Sequence, residues 1–324
     1  MNAPPLPEWA PHHAVWIGFP SAADLWEDDL APAQEEVAAF ASAIHSNGQG
    51  EEVWLVAADE AAAAEAGRLA PFAKIIVEPF GDIWLRDTAA IVLGTGSDRR
   101  AVDFRFNGWG DKYDLPGDDT VGERLAEEAA IPCDRSDWIL EGGAIDGDGS
   151  GTFITTEQCL LNPNRNPGFG KDEVEARLSR DLGASRVVWL GDGLLNDHTD
   201  GHVDNLARFI GPNRVAIPEA TTDDPNASAY ADAAEALLDA DLDVVAIPSP
   251  GPIERDGEIV PASYMNFYIG NAAVVVPLYG SDHDDAAVEA IQLLFPDRKA
   301  VGLRADHILT GGGSFHCISQ QVPR

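Results

Sequence analysis

The 324-residue sequence is poor in basic residues and in cysteine, and it lacks long apolar runs. Lysine and arginine total 21 against 55 acidic residues, the formal net charge is −34, and only four residues are lysine. This charge argues against nucleic acid and anionic membranes as partners, because both attract basic proteins. It favours a small cationic substrate, although much of it is also typical of a surface adapted for solubility.

The three cysteines are far apart in the sequence and form neither a disulfide framework nor a paired-cysteine zinc motif. The N-terminal stretch MNAPPLPEWAPHH lacks the basic start and apolar core of a signal peptide. No run of about 18 apolar residues occurs. These features predict a soluble, cytoplasmic protein with reduced thiols, and a homo-oligomer is compatible with them.

Apolar, β-branched runs alternate with alanine-rich stretches of helical period, which predicts an α/β fold. The predicted strands span residues 14–19, 52–57, 73–78, 89–94, 101–106, 152–162, 186–190, 213–218, 243–248, 272–277 and 300–304. The predicted helices span residues 32–46, 59–70, 120–130, 171–183, 226–240 and 284–295. Helices recur about every 50 to 60 residues, as in a ring of similar units. No linker divides the chain, which predicts one domain over residues 1–324.

The C-terminal stretch TGGGSFHCISQQVP contains the first candidate for a nucleophile, Cys317. Its three consecutive glycines allow positive φ and a close approach of the backbone to a ligand. A buried structural cysteine does not need glycines and polar residues around it. Cys133 and Cys159 lack such a setting, and we interpret both as structural.

A first polar cluster occurs in GDIWLRDTAAIV, just before an apolar strand. A carboxylate beside an aromatic plane suits a flat cation. Asp87 can accept N–H bonds from the cation while Trp84 covers one of its faces. The alternative is a surface ion pair between Asp82 and Arg86 beside a core tryptophan.

A second cluster begins at Glu141, which ends an apolar run and needs a partner if it is buried. Residues 146–157 match the spacing of a calcium-binding EF-hand loop. However, the flanks lack helical character, and DGDGSG is typical of a hairpin turn. We therefore predict a hairpin here and no metal.

A third cluster is NDHTDGHVDN, in which His198 and His202 have the spacing of zinc ligands on a helix. Gly201 disfavours a helix, and no glutamate follows His198 to act as a base. The alternation of His202 and Asp204 instead predicts a strand that directs an imidazole and a carboxylate into one space.

A cysteine, a histidine and several carboxylates without clustered basic residues suit a guanidinium group. This group stays charged and presents five N–H donors in a planar fork. A cysteine protease would instead need an oxyanion hole and would gain little from the acids.

The motifs WLRDTAA, LEGGAIDGDGSGT, LLNPNRNP, TDGHVDNLARF, SYMNFYIGN and GGGSFHCISQQVP occur in this order along the chain. Together with PPLPEWAPHHAVWIGFP and DFRFNGWG, they resemble the agmatine deiminase and bacterial peptidylarginine deiminase family of guanidine-modifying enzymes. The resemblance covers essentially the whole chain. It implies a five-bladed β/α propeller of ββαβ-type units around a central site, without metal or cofactor.

The resemblance also implies roles for individual residues. Cys317 matches the nucleophile, and His202 matches the general acid/base that Glu141 orients. Asp87 and Asp204 match the two carboxylates that hold the guanidinium, and Trp84 matches the aromatic residue beside it.

The implied reaction converts agmatine and water into N-carbamoylputrescine and ammonia, a step in putrescine biosynthesis, through a cysteine thiouronium. Deimination of arginine or peptidylarginine, an amidinotransferase and a polyamine-binding module remain alternatives.

The stretch NGWGDKYDLPGDD contains four aspartates and no arginine, which favours an amine substrate. SAADLWEDD differs from the Asn-Trp and arginine typical of agmatine enzymes. Tyr264, Asn266 and Asn271 either line the pocket or shape the backbone.

Overall fold

The computed structural model describes residues 3–255 and 257–324, in which strands and helices alternate as predicted. The strands are β1 (His12–Phe19), β2 (Glu52–Ala57), β3 (Lys74–Val77), β4 (Ile91–Leu93), β5 (Arg100–Arg105), β6 (Cys133–Ile139), β7 (Ile145–Gly147), β8 (Thr152–Thr156), β9 (Arg186–Leu190), β10 (Arg208–Gly211), β11 (Arg214–Glu219), β12 (Asp243–Pro248), β13 (Ile253–Arg255), β14 (Glu258–Val260), β15 (Tyr268–Ile269), β16 (Ala273–Leu278), β17 (Lys299–Arg304) and β18 (Ser319–Pro323). The helices are α1 (Ala23–Trp26), α2 (Leu30–His45), α3 (Glu60–Leu69), α4 (Leu85–Thr88), α5 (Gly108–Asp111), α6 (Asp118–Glu128), α7 (Glu157–Leu160), α8 (Lys171–Leu182), α9 (Ala227–Asp239), α10 (Asp284–Leu294) and α11 (Asp306–Thr310).

Five sheets of the described chain share one pattern, an antiparallel pair followed by a parallel pair. Four of them are β4-β5-β6, β7-β8-β9, β10-β11-β12 and β15-β16-β17. The fifth, β18-β1-β2-β3, pairs the two ends of the chain, with Ala14 opposite Val322. A helix connects the last two strands of every sheet, as a parallel crossover requires. Strands β13 and β14 form a separate hairpin.

The helices follow their apolar periodicity and their caps. In α2, Val37, Phe40, Ala41 and Ile44 recur at helical spacing, and all four are buried. The side chain of Asp59 caps α3 by accepting a hydrogen bond from the backbone N–H group of Ala62 at 2.8 Å. None of the described helices is long and apolar enough to cross a bilayer.

Two local predictions are wrong. The strand predicted over 152–162 ends at Thr156, whose hydroxyl accepts from Cys159 N at 3.3 Å and caps the short helix α7. The strand predicted at His202 and Asp204 is a 3₁₀ turn, Val203–Asn205. Gly201, which precedes this turn, has a positive φ of 83°, a conformation that interrupts a strand.

The hairpin predicted in place of a calcium loop is confirmed. Strands β7 and β8 pair antiparallel, with Asp146 opposite Ile154. At the turn, Asp148 Oδ1 accepts hydrogen bonds from the backbone N–H groups of Ser150 at 2.7 Å and Thr152 at 3.0 Å.

Candidate active site

A cavity of about 170 Å³ ends at the thiol of Cys317. Carboxylates and aromatic rings line much of it, and its described lining contains no lysine or arginine. The acidic and aromatic lining residues are Trp26, Asp29, Asp82, Trp84, Asp87, Trp109 and Tyr113. The cavity therefore offers several acceptors to a cation and no cationic partner to an anion.

Asn266 holds the loop that carries the thiol. Its Nδ2 donates to Cys317 Sγ at 3.0 Å, and its Oδ1 accepts from the backbone N–H groups of His316 and Cys317 at 3.0 and 3.2 Å. Tyr264 and Asn271 serve the framework instead. They donate to Asp284 Oδ1 at 2.6 Å and to a backbone carbonyl at 2.8 Å.

The three glycines before Cys317 allow the loop to pack directly on Trp84. A β-carbon at Gly311 or Gly313 would lie 2.5 or 2.6 Å from the indole ring, closer than any side chain permits. A β-carbon at Gly313 would also lie 3.1 Å from Cys317 Sγ. Trp84 thus forms a wall of the cavity beside the thiol.

The alternative of a surface ion pair between Asp82 and Arg86 is wrong, because both side chains are buried and bond elsewhere. Asp82 accepts from the indole nitrogens of Trp26 at 2.9 Å and Trp84 at 2.6 Å. Arg86 donates to Gln321 at 2.8 Å. Asp82 therefore fixes two rings of the cavity wall.

Three of the predicted residues converge on Gly143. A β-carbon there would lie 2.7 Å from His202 Nδ1, 2.8 Å from Asp87 Oδ1 and 3.1 Å from Asp204 Oδ2. Asp87 accepts from Gly143 N and from Trp109 Nε1, both at 2.9 Å. The backbone at Gly143 thus separates the two acids, at a position that only glycine can occupy.

Glu141 lies behind the histidine, in an ion pair with Arg165. Arg165 Nε donates to Glu141 Oε1 at 2.5 Å, and both side chains are fully buried. Ligand atoms of Glu141, Cys159 and His202 lie within 4.8 Å of one another. These three residues could hold a metal ion, but the guanidinium of Arg165 opposes a further cation.

The zinc spacing of His198 and His202 does not produce a shared site. His198 lies on the cavity wall, where its Nδ1 is 2.9 Å from the hydroxyl of Tyr113. The intervening residues form turns, so no helix aligns the two rings.

Sequence reasoning missed three residues of the site: Trp109, Cys159 and Arg165. Trp109 adopts φ 55°, a left-handed conformation that is unfavourable for a bulky residue. The only signal in the sequence was its position between two glycines. Cys159, interpreted as structural, is fully buried but adjoins His202, which its local sequence does not reveal.

Comparison with known proteins assigns the chain to a family. Residues 5–323 match the family described as Porphyromonas-type peptidyl-arginine deiminase. The chain belongs to this family. The deiminase is 38% identical to the agmatine deiminase of Stutzerimonas stutzeri, covering 98% of this chain and 94% of that protein. It is 36% identical to a putative agmatine deiminase of Pectobacterium atrosepticum, covering 98% and 93%.

Solved structures agree with this assignment. The deiminase aligns with the agmatine deiminase of Enterococcus faecalis at a TM-score of 0.92 and 33% identity, covering 100% of this chain and 96% of that one. DDAH from Pseudomonas aeruginosa, at 16% identity and a TM-score of 0.55, shares the fold over 96% of this chain and 99% of that one. The chain therefore has the α/β fold of the agmatine deiminase structure.

The buried charges of the deiminase set the protonation of its thiol and imidazole. Burial, with the charges of Asp204 and Asp87, raises the pKa of Cys317 well above its ordinary value. Burial alone would lower the pKa of His202, but Asp87, Cys159 and Glu141 raise it well above the ordinary value. At neutral pH the free site therefore combines a neutral thiol with an imidazolium.

We expect iodoacetamide to label Cys317 of the free deiminase slowly at neutral pH, because the thiolate is the reactive form. The labelling rate should still be increasing at about pH 9, since the raised pKa keeps the thiol protonated below that pH. Peptide mapping of quenched samples measures the rate at Cys317 separately from the other cysteines. A rate already maximal at pH 7 would contradict a neutral thiol.

Proposed function

We propose that this protein hydrolyses agmatine to N-carbamoylputrescine and ammonia. The observation that supports the proposal is a cavity whose described lining includes Cys317 and Asp87 and no lysine or arginine, with Asp204 Oδ2 3.5 Å from Cys317 Sγ. The acids suit a guanidinium, and Asp29 and Asp82 supply further negative charge for the ammonium of agmatine. The carboxylate of arginine would find no lysine or arginine on the described lining. The relatives named as agmatine deiminases support the same substrate.

In the proposed reaction, the two aspartates hold the guanidinium flat beside Sγ. The positive charge of the substrate lowers the pKa of Cys317, and the thiol loses its proton to solvent. The thiolate then attacks the guanidinium carbon and forms a C–S bond. The His202 imidazolium protonates the departing nitrogen, the C–N bond breaks, and ammonia leaves a thiouronium on Cys317.

Hydrolysis completes the cycle. The now neutral His202 takes a proton from water, whose oxygen attacks the same carbon. The C–S bond breaks, the ureido product leaves, and the thiol and the imidazolium are restored. Glu141, itself fixed by Arg165, keeps the imidazole in position, and Trp84 covers the substrate. Ligand atoms of Glu141 and His202 lie within 4.8 Å of each other, which supports this role for Glu141.

We further propose that the five sheets form five blades around a central axis. The repeated antiparallel-then-parallel pattern supports this arrangement, as does the pairing of β18 with β1, which would close a ring. Asp87, Cys317 and the pair His202 and Asp204 come from three different connections between sheets, which fits a site at the centre. We also infer a cytoplasmic location from the three free thiols.

One assay tests the function. The protein is incubated separately with agmatine, arginine and a peptide that ends in arginine, and both ammonia and the ureido product are measured. We expect both products, in equal amounts, from agmatine at a much higher rate than from the others. A higher rate with either arginine substrate would favour the corresponding alternative. Ammonia from none of the three would refute deimination.

A further inference from the structure

The residue before the nucleophile, His316, lies between two buried carboxylates. Its Nδ1 is 2.7 Å from Asp204 Oδ2, and its Nε2 is 2.8 Å from Glu8 Oε2. All three side chains are at least nine-tenths buried. A neutral imidazole has one N–H group, so two ionised carboxylates are both satisfied only if each ring nitrogen donates.

Surrounding charges keep Glu8 ionised. Glu8 accepts from Arg208 at 2.8 Å and from the backbone N–H group of Ile269 at 2.7 Å, and Arg86 lies 3.6 Å away. Burial alone would raise the pKa of Glu8, but Arg208 and His316 lower it well below the ordinary value. Glu8 therefore faces the ring of His316 as a carboxylate.

Asp204 is also held ionised. Burial would raise its pKa, but the hydrogen bond and charge of His316, together with the charges of His202 and Arg208, lower it. The other titratable groups around the ring and this carboxylate are Arg86, Asp87, Asp146 and Cys317. Asp204 Oδ1 is buried and has no hydrogen-bond partner in the described chain, so it remains open to an N–H group of a substrate.

Asp87, the other carboxylate of the site, lacks such a cation. It accepts hydrogen bonds from two neutral groups, Gly143 N and Trp109 Nε1. Its nearest cationic partner is His202, whose Nδ1 is 3.7 Å from Asp87 Oδ1. Burial raises the pKa of Asp87. The surroundings of the two carboxylates therefore differ, and of the two only Asp204 lies within hydrogen-bond distance of an imidazole that also contacts a second buried carboxylate.

We propose that Glu8 and His316 form a buried relay that orients Asp204 and keeps it ionised for the guanidinium. Both are positioning residues, since they reach the substrate only through Asp204. The N-terminal segment thereby contributes to the active site through Glu8. The effect on catalysis rests on the proposed function, whereas the protonation of the relay does not.

Two substitutions at His316 separate its contact with Asp204 from its contact with Glu8. The amide nitrogen in His316→Asn takes the place of Nδ1 and can still donate to Asp204. The longer His316→Gln reaches toward Glu8 and loses the contact with Asp204. Both remove the positive charge. We expect kcat/KM for agmatine to decrease about 10-fold in H316N and about 100-fold in H316Q, mainly through a higher KM.

The pH dependence distinguishes positioning from a structural role. Without the cation, the pKa of Asp204 rises, so a higher pH is needed to ionise it. The acid limb of the kcat/KM profile should therefore move to higher pH in H316N and H316Q, which both lose the ring. His283→Asn, at the start of α10 and outside the cavity, is the matched control and should retain the wild-type profile. A uniform loss of activity with an unmoved acid limb would overturn the proposal.

Nitrogen-15 NMR of the wild-type histidines tests the relay without turnover. We expect both ring nitrogens of His316, assigned by comparison with H316N, to be protonated at neutral pH. A single protonated nitrogen would overturn the relay even if agmatine is hydrolysed. If agmatine is not hydrolysed but both nitrogens are protonated, the proposed function fails and the relay stands.

Discussion

Replacing Cys317 with serine should reduce agmatine turnover by at least about 10⁴-fold, because it removes the atom that forms the covalent intermediate. No neutral base adjoins Sγ to activate a hydroxyl in its place. In the described chain, the side-chain partners of Sγ are the Asn266 amide at 3.0 Å and Asp204 Oδ2 at 3.5 Å, and Asp204 is needed for the guanidinium. Agmatine binding should persist in the variant, because the carboxylates and Trp84 remain. Ammonia release measures the turnover, and calorimetry measures the binding.

Cys133→Ser is the control for this experiment. Cys133 lies at the start of β6, is half-buried, and has a pKa raised to about 12 by burial and nearby acids. Its replacement should leave turnover close to that of the wild type. A C317S variant that retained more than about a hundredth of wild-type activity would place the nucleophile elsewhere.

Replacing either aspartate with asparagine should lower kcat/KM for agmatine about 10²- to 10³-fold, since each substitution removes a charged acceptor of the guanidinium. Asp204→Asn should have the larger effect, because Asp204 carries the better stabilised charge and the substitution leaves His316 beside an amide. Asp87→Asn retains the contact with Trp109 through an amide oxygen.

The same two variants should make Cys317 more reactive toward iodoacetamide. Asp204 and Asp87 raise the pKa of the thiol, so the loss of either charge lowers that pKa and increases the thiolate fraction at neutral pH. Faster labelling together with slower turnover is the expected signature. A decrease in both would mean that the aspartates assist the thiol directly, contrary to the electrostatics of the site.

The main elements could be predicted from sequence because their signals are local. The periodicity of α2, α3, α6 and α8 to α10 lies within each segment, and the structure has these helices within about two residues of the predicted bounds. Strands such as β2, β9 and β12 were equally clear. The shorter β7, β10 and β13 to β15 were missed, because two to four residues carry too little alternation to be recognised. The longer β6 (CDRSDWI) and β18 (SQQVP) were missed as well, because most of their residues are polar.

The arrangement of the site depends on tertiary contacts between residues distant in sequence, which no local sequence pattern reveals. Local motifs singled out the six predicted site residues, and the family resemblance supplied their roles. The structure places Cys317, Asp87 and Trp84 on the lining of the cavity. It places His202 and Asp204 beside Asp87 around Gly143, and Glu141 within 4.8 Å of His202. Glu8 and His316 are 308 residues apart and meet only because β18 pairs with β1. The proximity of Cys159 to His202 is likewise a tertiary contact between residues that are distant in sequence. Alternation suggested a strand at His202, but the turn formed by Gly201 overrode it.

During turnover, Cys317 should form a covalent bond with the guanidinium carbon of agmatine. The most direct test is intact-protein mass spectrometry of the wild type, quenched with acid during turnover of agmatine, followed by peptide mapping. We expect the protein to gain a mass equal to agmatine minus ammonia. This adduct should be located on Cys317 and absent from C317S. Steady turnover with no adduct at any quench time, or an adduct on another residue, would contradict it.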